Sequence, residues 1–253
     1  MLGYVSKIGG NLMLESYRYA RRENVTVCYT GNDRRFVAEI MEGALYAYKD
    51  LKEYFQLGDK EFSIRVILAM SRREYDYICK EVLKVRKNEK SKKNEVAIVS
   101  KNDLLILSPF AYEDESTYIY ERKKLQKIIY NQVVNIFNEF LSLDPKASSR
   151  WFGQGLAIYL SNLWNEDGTN TILKNDIQGD TLPSLKEIQE NEKLYKIWAW
   201  TIVKYIEEVY GKEIINKIIR SNDENYVFNI IGTSITEFEV QWTVWLKMND
   251  NIL

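Results

Sequence analysis

The chain has 253 residues, 45% of them hydrophobic, and is therefore long enough to bury a substantial core. Its 35 lysine and arginine residues almost balance its 36 aspartate and glutamate residues, and the resulting net charge of −1 argues against a dedicated nucleic-acid or membrane-surface protein. The sequence contains no histidine, which excludes every catalytic scheme that depends on imidazole.

The amino-terminal segment, residues 1–17, is interrupted by glycine and serine and lacks the apolar core of a signal peptide. No other segment approaches the length of a membrane span. These features predict a cytoplasmic protein, and export of a longer precursor stays open as the alternative. The two cysteines, Cys28 and Cys79, have neither the number nor the spacing of a disulfide framework or a metal clip, so we expect both to be buried free thiols.

Hydrophobic periodicity predicts alternating strands and helices in the first part of the chain. VTVCY at 25–29 is typical of a strand, and FSIRVILAM at 62–70 is apolar enough for a central strand. Between them, apolar residues at three- and four-residue steps over 34–56 indicate a long amphipathic helix. The remaining expected elements are a short helix or lead-in at 12–23, a helix at 71–85 capped by Ser71, and two short strands at 96–99 and 104–107.

Residues 84–95, KVRKNEKSKKNE, are rich in lysine and contain little that could pack in a core. We expect them to form a solvated loop. A contact patch for an acidic partner is the alternative. Nucleic acid is the weaker candidate for that partner, because no aromatic residues stand between the basic ones to stack on bases.

The second part of the chain is predicted to be mainly helical. An acidic and aromatic loop at 112–120, expected to lie over the site, leads into a helix that begins at Glu121, and a loop rich in Gly, Asn and Asp is expected at 165–180. The further helices are expected at about 149–164, from 182–185 onward, and at 193–211, 212–220, 223–231 and 235–247.

These elements predict an α+β fold, with a small mixed sheet and helices in the first half and a mainly helical second half. No internal repeat or low-complexity linker divides the chain. We therefore expect a single domain over 1–253, with a sheet-containing lobe at 24–110, a helical lobe at 111–253 and a cleft between them.

Three neighbouring amides, Asn131, Gln132 and Asn135, stand on the helix that begins at Glu121. Residues four apart lie on one face of a helix, so Asn131 and Asn135 are neighbours in space. The H-E-x-x-H motif has the same spacing; there two histidines bind Zn²⁺ and the glutamate acts as general base on the metal-bound water. In this chain the motif reads N-Q-x-x-N.

A second segment, WFGQGLAIY at 151–159, follows, and eighteen residues separate Asn135 from Gln154. In this combination the chain resembles the gluzincin branch of the peptidase MA-like zinc metallopeptidases, whose third zinc ligand is a glutamate in a W-x-x-E-G-x-A-x-Y type of segment at this spacing. The resemblance implies a zincin-like, two-lobed fold. It also implies that Asn131, Asn135 and Gln154 occupy metal-ligand positions and that Gln132 occupies the general-base position.

The resemblance implies two further features. Tyr195 would correspond to a tyrosine that hydrogen-bonds the oxyanion of the transition state, although Tyr205 and Tyr210 stand on the same predicted helix. In those enzymes the last strand usually forms the sheet edge along which a peptide lies. Here that edge would be the strand at 104–107 or its neighbour, and an edge strand can recruit an extended peptide by strand addition.

The chemistry of amides argues against catalysis at these positions. An asparagine offers only neutral donors and acceptors, and a glutamine cannot take a proton from water. Tight zinc sites are built from thiolate, imidazole and carboxylate groups, so we expect neither a metal nor another cofactor. The chain is therefore predicted to be a pseudoenzyme that binds a peptide or protein segment.

Two glycines, Gly153 and Gly155, flank Gln154 within the second predicted helix. A glycine in a helix interior costs on the order of 1 kcal/mol relative to alanine, so the pair indicates either close helix approach or room for a ligand. In the second case Gly153, Gly155 and Tyr159 would line the cleft.

Two other classes of function stay open. The first is an active peptidase or other hydrolase, with a metal held by ligands elsewhere or with carboxylates such as Asp114, Glu115 or Glu139. The second is a structural or oligomeric scaffold in which side chains fill the former site. The sequence does not determine the oligomeric state.

Overall fold

The chain divides into two compact units, residues 1–136 and 137–253. Each has its own buried apolar residues. The finer division into lobes at 24–110 and 111–253 stays a prediction. The computed structural model describes residues 17–87, 89–142, 150–165, 169–221 and 226–249.

The first unit is built on a five-stranded sheet with the strand order β1-β2-β3-β5-β4. Strands β2, β3 and β5 run parallel, while β1 and β4 pair antiparallel at the two edges, so the predicted small mixed sheet is confirmed. Strand β3, IRVILA, is buried at five of its six positions, as expected for a central strand. The strands are β1 Arg18–Arg22, β2 Val25–Tyr29, β3 Ile64–Ala69, β4 Ala97–Ser100 and β5 Asp103–Leu107.

Strand β1 forms where the sequence had not predicted a strand. A short helix or lead-in was expected at 12–23; this is wrong for 18–22, and residues 12–16 lie outside the described part of the chain. The segment RYARR has little strand propensity of its own. It becomes a strand because it pairs residue by residue with β2, a contact that only the tertiary structure supplies.

The helices of the first unit cover the sheet. Helix α1 (Val37–Tyr54) follows a 3-10 turn at Gly31–Phe36 and buries an apolar stripe that runs from Ile40 to Leu51. The predicted long amphipathic helix is therefore confirmed, except that residues 34–36 belong to the preceding 3-10 turn.

Helix α2 (Arg72–Tyr77) continues into a π-helical turn at Ile78–Val82. Ser71 caps it as predicted, since its side chain accepts a hydrogen bond from a backbone N–H of the first turn. A short helix, α3 (Tyr112–Glu115), replaces the start of the loop expected at 112–120, so that expectation is wrong for these four residues. Helix α4 (Arg122–Leu141) then carries the boundary between the units.

The second unit is helical at all its described residues of regular structure, which confirms the predicted mainly helical second half. A loop was expected at 165–180; this is wrong for helix α6 at Thr169–Gln178, and residues 166–168 lie outside the described part of the chain. The segment is polar overall, but Leu173 and Ile177 lie one turn apart on a buried face. The helices are α5 Arg150–Leu160, α6 Thr169–Gln178, α7 Leu185–Glu190, α8 Glu192–Tyr210, α9 Lys212–Ile219, α10 Tyr226–Ile231 and α11 Ile235–Met248.

Helix α8 forms the centre of the second unit. Its Trp198 and Trp200 side chains are almost completely buried. The indole N–H of Trp242, on α11, donates to the hydroxyl of the buried Thr201 at 3.2 Å and so joins the two helices. Gly211, with φ of 86°, ends α8 as predicted, because a glycine adopts positive φ without steric cost.

A buried carboxylate joins two of the parallel strands at their carboxyl ends. Asp33 is fully buried and accepts hydrogen bonds from the hydroxyls of Thr30, at 2.8 Å, and Ser108. Thr30 directly follows β2 and Ser108 directly follows β5. The N–H of Ser108 also donates to the carbonyl of Ala69, the last residue of β3, at 2.7 Å. The three strand ends are therefore fastened together at one place.

Both cysteines are free, as predicted, although Cys28 is half-buried and only Cys79 is buried. Burial is the main cause that raises the pKa of the Cys28 thiol to about 11 and that of Cys79 to about 12. Both thiols are therefore protonated and weakly nucleophilic near neutral pH. Among the described residues, none of the helices has the length and apolarity needed to cross a membrane.

We expect Asp33→Ala to lower the free energy of unfolding by about 2–4 kcal/mol, because two buried hydroxyls lose their acceptor. Asp33→Asn keeps an acceptor oxygen and should cost less. Urea denaturation followed by circular dichroism measures both changes. The exposed Asp59 provides the control: Asp59→Ala should stay within about 0.5 kcal/mol of the unaltered chain. Equal stability of Asp33→Ala and Asp59→Ala would contradict the role of Asp33.

Candidate functional site

The N-Q-x-x-N residues lie on helix α4, in the first unit. Asn131 is only 6% exposed, whereas Gln132 and Asn135 are half-buried. The side-chain N–H of Gln132 donates to the side-chain oxygen of Asn131 at 3.1 Å. The amide of Asn135 has no hydrogen-bond partner among the described residues. Of the three amides, Asn135 is thus the one available to another molecule.

Gln154 lies on helix α5, in the second unit. Its side chain is half-buried, and its amide has no hydrogen-bond partner among residues 17–87, 89–142, 150–165, 169–221 and 226–249. A half-buried amide without an internal partner can both donate to and accept from a peptide backbone. The proximity of Gln154 to Asn135 stays a prediction of the sequence.

The two glycines beside Gln154 differ in their surroundings. A Cβ atom on Gly155 would lie 2.7 Å from the backbone carbonyl carbon of Ala199, on helix α8. A Cβ atom on Gly153 would meet only the side-chain nitrogen of Asn138, at 3.3 Å. Close packing of α5 on α8 therefore accounts for Gly155. For Gly153 and Tyr159, a place in the lining of a cleft stays a prediction.

Asn138 was missed by the sequence reasoning. Its side-chain N–H donates to the carbonyl of Gly153 at 3.2 Å, while its side-chain oxygen is buried without a hydrogen-bond partner. The residue stands seven positions after Asn131 and three after Asn135, so it continues the same row on α4. This spacing is the signal that could have found it.

Three tyrosines of α8 were candidates for an oxyanion contact. The hydroxyls of Tyr205 and Tyr210 both bond to the side-chain oxygen of Gln241, at 3.3 and 3.0 Å. Tyr195 is half-buried, and its hydroxyl has no hydrogen-bond partner among the described residues. Burial, assisted by the nearby Glu192, raises the pKa of Tyr195, so its phenol is a neutral donor. Of the three, Tyr195 alone has a hydroxyl without such a contact.

Tyr159, on α5, is fixed by the second unit itself. Its hydroxyl bonds to the carboxylate of Glu207, on α8. Burial is the main cause that raises the pKa of Tyr159, and Glu207 and Glu208 add to it. The phenol therefore stays protonated and serves the contact between the two helices.

The carboxylates considered for metal-free catalysis are placed differently from one another. The carboxylate of Glu115 accepts a hydrogen bond from the backbone N–H of Arg72, and its carbonyl accepts from the Arg72 guanidinium at 2.8 Å. Asp114 and Glu139 are exposed. Glu115 thus has a structural task.

The donor set at the three metal-ligand positions does not fit Zn²⁺. Asn131, Asn135 and Gln154 offer neutral amide groups in place of imidazole nitrogen and carboxylate oxygen. Within the described part of the chain, no group of three or more cysteine, aspartate or glutamate side chains is arranged to hold a metal ion.

Strand β4 is one of the two edge strands of the sheet, whereas β5, the strand predicted at 104–107, lies inside it; the neighbour of that strand therefore forms the edge. The N–H of Leu107 donates to the carbonyl of Val96 at 2.8 Å, which makes this pair a hydrogen-bonded one. Hydrogen-bonded and non-bonded pairs alternate along an antiparallel ladder, so Ala97 and Val99 direct their N–H and C=O groups away from β5. These groups have no backbone partner among the described residues.

Comparisons with protein families and with curated proteins found no match: no protein-family model matches the chain, and no curated protein matches its sequence. The resemblance to the gluzincins therefore rests on the two sequence segments and their spacing.

We expect Gly155→Ala to lower the free energy of unfolding by about 1–3 kcal/mol, because the new methyl group would overlap the rigid backbone of Ala199. Gly153→Ala is the matched control on the same helix. Its methyl group displaces only the end of a side chain, and alanine gains up to about 1 kcal/mol in helix propensity. Thermal and urea denaturation compare the two variants. A Gly155→Ala protein as stable as Gly153→Ala would show that α5 and α8 are not in such close contact.

Proposed function

We propose that the chain is a catalytically inactive homologue of the gluzincin metallopeptidases that binds a peptide or protein segment without cleaving it. The proposal includes the finer fold assignment, a zincin-like and two-lobed architecture. The observation that carries it is the replacement of all four functional positions by amides, Asn131, Gln132, Asn135 and Gln154, at the spacing of the peptidase motif.

The loss of catalysis follows from the chemistry of these side chains. Gln132 has no basic site of useful strength and cannot take a proton from water. Neutral amide oxygens at the ligand positions neither bind Zn²⁺ tightly nor lower the pKa of a bound water. Because the chain contains no histidine, no imidazole elsewhere can replace them.

The capacity to bind a peptide is supported by unpaired hydrogen-bonding groups. The amides of Asn135 and Gln154 have no internal partner among the described residues. Ala97 and Val99 present backbone donors and acceptors along the outer edge of β4. An extended peptide can pair with such an edge as an additional strand, and amide side chains can hydrogen-bond to its backbone.

Two contacts favour a scaffold role as the second candidate. Gly155 is explained by packing against Ala199, and the side chains of Asn131 and Gln132 bond to each other. Each of these contacts gives a residue of the motif a structural task. In the scaffold alternative the remaining amides would also be buried by assembly, and no peptide would bind.

Zinc content tests the relation to the peptidases. We expect the unaltered chain to retain essentially no zinc. A variant with Asn131→His, Gln132→Glu, Asn135→His and Gln154→Glu should retain about one zinc ion per chain, because its donor set is that of a catalytic zinc site. Mass spectrometry of proteins without a histidine tag measures the content.

A variant that carries the first three substitutions but keeps Gln154 is the control for the spacing, and it should hold zinc more weakly. Failure of the fourfold variant to bind zinc would count against the register of the motif. Stoichiometric zinc in the unaltered chain, with peptide turnover abolished by a chelator, would instead support an active enzyme.

The edge of β4 can be tested separately. Val99→Pro removes one outward-facing N–H and leaves the bonds to β5 in place, because residue 99 belongs to a non-bonded pair. We expect affinity for extended peptides to fall about 3- to 10-fold, the value of one backbone hydrogen bond. Val99→Ala keeps the N–H and is the matched control. Fluorescence anisotropy with labelled peptides measures both, and equal affinities would argue against strand addition at this edge.

A further inference from the structure

A set of exposed lysines directly precedes strand β4, and we call it the lysine surface. None of its five ammonium groups forms an ion pair with any residue that the structure describes. Glu89 is the exposed acid among them. The members of the lysine surface are Lys84, Lys87, Lys90, Lys92 and Lys93.

Two other charged groups of this segment, Arg86 and Glu95, are half-buried and paired with each other. Arg86 forms an ion pair with Glu95, and the carboxylate of Glu95 also accepts a hydrogen bond from the hydroxyl of Tyr75 at 3.1 Å. The arginine and this acid therefore neutralise each other below the surface. What remains for contact with another molecule is a cluster of lysines with a strong excess of positive charge.

The backbone around Lys92 and Lys93 is held in place by hydrogen bonds. The guanidinium of Arg72 donates to the hydroxyl of Ser91 at 3.2 Å and to the carbonyls of Lys93 and Glu95. The N–H of Ser91 donates to the carboxylate of Asp76 at 2.9 Å. Lys92 and Lys93 thus stand on a positioned stretch of backbone, which reduces the entropy lost when a partner binds.

The lysine surface precedes β4 closely in the sequence. Lys93 stands four residues before Ala97, a distance of at most about 13 Å along an extended chain. At this distance, a peptide that pairs with β4 and continues by three or four residues beyond its start is long enough to reach Lys93. Acidic side chains on that continuation would neutralise ammonium groups that otherwise repel one another.

We propose that the lysine surface selects an acidic peptide segment, one whose Asp and Glu residues flank the stretch that pairs with β4. This inference rests on the proposed peptide-binding function. A peptide fits better than a nucleic acid because the surface contains no aromatic side chain for stacking on bases, and its arginine is already paired with Glu95. Phosphate recognition would favour the forked donors of free arginines over lysine point charges.

The test compares two labelled peptides with the same extended neutral stretch, one flanked by four glutamates and the other by four glutamines. At about 0.05 M salt we expect the full chain to bind the glutamate peptide roughly tenfold more tightly, and at about 0.5 M salt the preference should largely disappear. The lysine variant carries Lys87→Glu, Lys90→Glu and Lys92→Glu. The matched control carries the same change of charge on exposed lysines of the second unit, Lys186→Glu, Lys193→Glu and Lys217→Glu.

The lysine variant should lose the preference and still bind the glutamine peptide, while the control keeps the preference to within about twofold. If both variants keep the preference, the inference fails and the proposed function stands. If neither peptide binds the unaltered chain, both fail together. Heparin, RNA or anionic vesicles that bind through these lysines, without binding of the glutamate peptide, would overturn the inference in favour of a polyanion site.

Discussion

The buried carboxylate of Asp33 is the constraint on which the first unit depends. A buried carboxyl group is costly unless it is hydrogen-bonded, and here the hydroxyls of Thr30 and Ser108 donate to it. Because these hydroxyls follow two different parallel strands, the requirement of one side chain fixes the relative position of β2 and β5, with β3 between them. The antiparallel edge β4 is then placed by its pairing with β5.

The second unit depends on the close contact between helices α5 and α8. Helix α5 approaches α8 so closely at Gly155 that no side chain fits between them, and Tyr159 reaches across to Glu207 in the same pair of helices. This contact determines the orientation of α5. It therefore also decides that Gln154, between the two glycines, is half-buried with an amide that no described residue uses.

Chemistry and architecture together favour recognition over catalysis. Amides retain the ability to donate and accept hydrogen bonds but lose charge, metal affinity and proton transfer. In the proposed role, a sheet edge with outward backbone groups and the lysines that precede it would supply affinity and selectivity without any reactive group. The proposed role as a peptide-binding pseudopeptidase is consistent with each of these properties.

The sequence by itself determined the α+β class, the long helices α1, α4 and α8, the Ser71 and Gly211 caps and the strands from β2 to β5, because these features follow from local periodicity and capping chemistry. It also determined the absence of imidazole chemistry. Only the tertiary structure decided that RYARR forms a strand, that β4 is the edge, that Gly155 serves packing and that Tyr195 differs from Tyr205 and Tyr210. Those outcomes depend on how strands pair and how helices pack against one another, which the propensity of a single segment cannot supply.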